Sequence, residues 1–92
     1  MRVHVNVSLE AMSVNETFEG ATADDIVGKM KARIARELGF AMKMIVNAMG
    51  NLVFAQEVVR RYNELKNLSL PLPTSAQEFL SLACEQGLAS VE

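Results

Sequence analysis

Between Phe40 and Ala55 the chain is apolar except at Lys43, Asn47, Gly50 and Asn51. The fate of that block decides what the rest can fold into. A membrane-crossing helix needs roughly 20 consecutive apolar residues. This run is shorter, carries a lysine and two asparagines, and gives way to the polar QEVVRRYNELKN, so no membrane span is expected. A strand–turn–strand reading, with KMIVN and LVFAQ around AMGN, is the competitor. Gly-Asn is a turn dipeptide, and Ile45, Val46, Val53 and Phe54 suit strands. Alanine, methionine, leucine and lysine fill the remaining positions and favour helix. A helical region over 40–67 is the preferred reading.

One straight helix in a small monomer does not easily bury both halves of that region. At about 100° per residue, Ala41, Ile45, Met49 and Leu52 centre one apolar arc, flanked by Met42, Val46 and Val53. Lys43, Asn47, Gly50 and Asn51 lie opposite. In the second half the stripe becomes Phe54, Val58, Tyr62 and Leu65, on the side where the asparagines sat. One straight helix over the whole region would be about 40 Å long, more than a compact domain of this size is wide. The spacing therefore predicts a break near 50–51, with Gly50 as a stop and Asn51 as an N-cap, or else a half that packs against another subunit.

The remaining chain supplies familiar elements. RVHVNVSL alternates, with Val3, Val5, Val7 and Leu9 on one side and Arg2, His4, Asn6 and Ser8 on the other, the period of a half-buried strand. MSVNETFEG continues with Met12, Val14 and Phe18 in phase and Glu16 out of place. The pair predicts an antiparallel hairpin over 1–20 that turns around Glu10 and Ala11. Thr22 and Asp25 form a capping-box pattern ahead of Ile26, Val27, Met30, Ile34 and Leu38, a helix over 22–38 that Gly39 would end. Thr74 and Ser75 precede Gln77 and Glu78 by three residues and open a helix over 75–86. Its buried side is Ala76, Phe79, Leu80 and Ala83, and Gly87 stops it. Residues 88–91 can close the chain as a short strand.

MRVHVNVSL, a second strand and TADDIVGKMKARIARELG resemble the opening strand–strand–helix of the ubiquitin-like β-grasp folds over about the first forty residues. The remainder departs from that pattern: it is mainly helical and ends ASVE, without the diglycine tail used for conjugation. No functional residue is carried over from the resemblance.

At 92 residues the chain fits one domain, and half of it is hydrophobic with 22% charged, a folded composition. Tryptophan is absent, so the core is mostly aliphatic, with six methionines as adaptable filler. A net charge of −2 argues against a non-specific binder of nucleic acid or anionic membrane. A single cysteine and an N-terminus without an apolar signal core point to the cytoplasm. In that compartment the Asn-x-Ser/Thr triplets at Asn6, Asn15 and Asn67 are chance matches.

Chemistry-bearing constellations do not emerge. His4 sits on a strand's polar side without companions for metal binding or base catalysis. Cys84 reads as a semi-buried structural thiol. Met30, Met42, Met44 and Met49 read as filler rather than soft-metal ligands. Lys29, Arg33 and Arg36 share one flank of the first helix, with Arg60 and Arg61 further on. Acidic residues are interspersed among them, which describes a solvated mixed-charge surface better than a phosphate-binding one.

The expectation is an α+β domain, a small antiparallel sheet packed by three to four helices. It has no catalytic, cofactor or metal residues and works as a protein-interaction module. Self-association, as a dimer, would proceed through Met42, Ile45, Val46, Met49 and Val53. A nucleic-acid regulator using Lys29, Arg33, Arg36, Arg60 and Arg61 is the alternative, followed by a binder of an apolar ligand in a methionine-lined pocket.

Overall fold

A computed structural model describes residues 1–9 and 12–92. Strand β1 (Arg2–Leu9) pairs antiparallel with β2 (Met12–Glu19) in a register that sets Val3 opposite Phe18 and Val7 opposite Val14. The turn expected around Glu10 and Ala11 lies outside the described residues. Helices α1 (Ala23–Ala35), α2 (Phe40–Ala48), α3 (Asn51–Lys66) and α4 (Ala76–Glu85) follow. Strand β3 (Ala89–Val91) then returns to the free side of β1, antiparallel, giving the order β2-β1-β3. The architecture is α+β, as the periodicities predict.

The sheet is two-faced because its strands alternate. Val3, Val5, Val14 and Phe18 are buried with Ile26, Val27 and Met30 of α1 in one core, and Phe54, Ala55, Val59, Phe79 and Leu80 complete it from α3 and α4. The opposite face is polar: His4 Nδ1 lies 3.0 Å from Thr17 Oγ1, Ser8 faces Ser13, and Arg2 pairs with Glu19. Glu16, out of phase in the sequence, sits opposite Val5 on the inner side. Arg33 of α1 comes down to it, with Nε 2.6 Å from Oε2.

The starts of α1 and α4 are set by side chains. Thr22 Oγ1 accepts from the Asp25 N–H at 3.2 Å, while the Asp25 carboxylate accepts from the Ala21 N–H. Ser75 Oγ does the same for Glu78 at 3.1 Å. The hairpin enters α1 through Gly20, where a Cβ would stand 2.7 Å from Asp25 Cβ, so only glycine fits. Past α4, Gly87 takes φ +75°, the left-handed conformation that ends the helix.

Three local expectations need correction. Gly39 does not end α1, which stops at Ala35; with φ −64° and ψ 162° it is instead the N-cap of α2. The break in the 40–67 region falls at Met49 and Gly50, and Gly50 caps the start of α3. Asn51 is not a cap: its side-chain amide donates to the Asp24 carbonyl at 3.2 Å, tying α3 to the first turn of α1. The break is consistent with dimension alone. A continuous helix over that region would be about 40 Å long, and the fold measures 33 × 31 × 24 Å.

Between α3 and α4 the chain is extended but held. Asn67 is left-handed (φ 54°) at the end of α3. Asn63 both accepts from the Leu70 N–H and donates to its carbonyl at 3.0 Å, and Gln56 donates to the carbonyl of buried Pro73.

Candidate interaction surface

Helix α2 is apolar on nearly every side, and a helix of that kind is ordinarily buried. Here it is not. It leans on α1, and within it only Val46 is buried; Met49, just past its end, is half-buried against the core. A lysine fastens this corner: Lys31 Nζ donates to the Met49 carbonyl at 2.6 Å. Around the rest of α2 the side chains meet solvent, with Phe40 80%, Met44 58%, Ile45 51% and Met42 43% exposed. Val53, in the first turn of α3, is 50% exposed, and its neighbour Leu52 is also open.

The five residues expected at an interface therefore divide. Met42, Ile45 and Val53 are presented outward. Val46 and Met49 are not: they belong to the chain's own core, because α1 covers the flank of α2 on which they stand. Leu65, expected in the buried stripe of α3, is likewise exposed. Leu52, placed at the centre of the apolar arc, is exposed as well, and Phe40 and Met44 are exposed apolar residues that the arc analysis did not single out. A signal for these last two was present, since Phe40 and Met44 lie four apart and so share one side of a helix.

Three of the five basic residues are engaged within the chain. Arg33 bridges Glu16 and Glu37, the latter with Nη1 to Oε1 at 2.6 Å, and the Glu37 hydrogen bond holds its guanidinium above the ordinary arginine value. Lys29 Nζ donates to the Glu19 carbonyl, and Arg60 pairs with Glu57. Lys29, Arg33 and Arg36 do border a shallow surface depression, but Glu16 and Phe18 line it too. Arg61 is exposed on α3. A phosphate would have to compete with two carboxylates for the central arginine.

An apolar cavity lies between the sheet and helices α1, α3 and α4; Met30 lines it, and Met42, Met44 and Met49 do not. Among the described residues no group of histidine, cysteine and carboxylate side chains could hold a metal ion. Cys84 is a free, half-buried thiol. Among the same residues no helix is long and apolar enough to cross a membrane.

No protein family, curated protein or solved structure matches the chain. The resemblance to the β-grasp opening stops at β1, β2 and α1; three more helices intervene before β3 returns antiparallel to β1.

Proposed function

We propose that this chain is a non-catalytic, cytoplasmic protein-interaction module that self-associates as a dimer. The contact surface is the open side of α2 with the first turn of α3. The observation that carries this reading is the exposure of Phe40, Met44 and Ile45 on a nine-residue helix with no cationic or anionic residue except Lys43. Clustered apolar side chains of this kind mark interaction surfaces in soluble proteins. Two copies of one helix face can meet about a two-fold axis, each supplying the same patch.

The scale of the interface follows from its extent. A standard stable contact engages roughly 20–30 residues on each side, and α2 is nine residues long. The dimer is accordingly a weak, concentration-dependent one, unless neighbouring surface joins it. A net charge of −2 offers little repulsion against association.

Multi-angle light scattering over a micromolar to millimolar series tests the reading. The wild-type chain is expected to shift from monomer towards dimer, and I45E and M44E to remain monomers with an unchanged far-ultraviolet spectrum. A wild-type chain that stays monomeric throughout the series refutes it.

A further inference from the structure

We propose a second site, independent of the α2 surface: the cavity between the sheet and helices α1, α3 and α4 binds the end of an unbranched aliphatic chain, such as that of a medium-chain fatty acid. The cavity has a volume of about 70 Å³ and is partly open to solvent. Among the residues that line it, only Tyr62 and Gln86 bear polar groups capable of strong hydrogen bonds, and essentially all of its wall is hydrocarbon. Water is a poor occupant, because a buried water needs two to four polar partners. An empty void is also unfavourable, since the lining atoms forfeit their dispersion contacts.

Size and shape narrow the occupant further. An apolar cavity of roughly 150 Å³ accommodates benzene, so about half that volume takes a few methylene groups and excludes a ring. Val7, Ile34, Val58, Leu82 and Leu88, all lining residues, are only partly buried, so the cavity walls continue outward to the surface. A chain can therefore enter end-on, with its polar head remaining in solvent. Tyr62 and Gln86, both half-exposed, are the lining residues able to hydrogen-bond that head.

The test is a methyl-resolved NMR titration of the I45E variant, which removes self-association from the readout, with decanoate kept below its micellar concentration. Saturable, one-site shifts at Val7, Leu82 and Leu88 are expected, while cyclohexane leaves those methyl groups unmoved. The A83L substitution, which fills the cavity from α4, should abolish the decanoate shifts. Should A83L fail to fold, V58I carries the same test: one added methyl group should weaken binding by about fourfold. No decanoate response overturns the proposal. So does an equal response to cyclohexane, an affinity unchanged in the filled variant, or shifts confined to Met42 and Met44, which would place the hydrocarbon on the α2 surface. Loss of dimerisation in the light-scattering series, by contrast, leaves this titration unaffected.

Discussion

Arg33 Nε lies 2.6 Å from Glu16 Oε2, joining α1 to the inner side of β2. The pair explains how a carboxylate is tolerated at a strand position whose cross-strand partner, Val5, is in the core. Removing Arg33 alone leaves Glu16 partly desolvated and unpaired, which costs more than removing both, whereas Arg33 without Glu16 keeps Glu37. R33A is therefore expected to lower the urea midpoint, and E16V/R33M to recover most or all of that loss. A double variant less stable than R33A would show that the pair contributes beyond satisfying Glu16.

Adjacent residues of α2 should respond oppositely to truncation. Val46 is 8% exposed and sits against α1, whereas Ile45 is half open to solvent. V46A removes buried methyl groups and is expected to cost about 2 kcal/mol; I45A should stay within about 0.5 kcal/mol. Urea unfolding of both variants in dilute solution, where the monomer predominates, makes the comparison. Equal losses would mean that Ile45 is buried as well.

How far the fold was legible follows from where periodicity is decisive. The alternation of Val3, Val5 and Val7 and the four-residue recurrence of Ile26, Met30 and Ile34 each allow one packing solution, and those elements were readable. The 40–67 region was readable as helix with a break, because its apolar arc changes side. Which flank of α2 would be covered was not readable. Val46 and Ile45 are equally apolar neighbours, about 100° apart on the helix, and only the position of α1 decides between them. Glu16 was similarly opaque, since its partner lies on another element seventeen residues away. The cavity was hidden for a related reason: its walls come from β1, β2, α1, α3 and α4, and no local pattern records a gap among them.

Asn67 offers a prediction about the unfolded and folded backbone together. It is the only non-glycine residue with positive φ among those described, and it ends α3. Asparagine tolerates the left-handed region better than most residues, and glycine adopts it freely. N67A is expected to destabilise by about 1 kcal/mol, and N67G to be neutral or slightly stabilising. Thermal unfolding distinguishes them, and an N67A melting as high as N67G would contradict the backbone assignment.

Glu78 gives a pH dependence of definite sign. Its carboxylate accepts from both the N–H and the hydroxyl of Thr74, each at 2.6 Å, and these bonds hold it below the usual glutamate range. A carboxyl whose folded value is depressed binds its proton more readily in the unfolded chain, so stability rises with pH across that interval. Its contribution is fully present above the ordinary value of 4.5 and is lost as pH falls through the lower folded value. The negative charge also sits in the first turn of α4, where the helix dipole favours it. E78Q should therefore be less stable than wild type at neutral pH, with the gap closing as the solution is acidified. Urea unfolding of the two chains at neutral and strongly acidic pH measures that gap. A difference independent of pH would mean that Glu78 acts through packing and shape rather than through its charge.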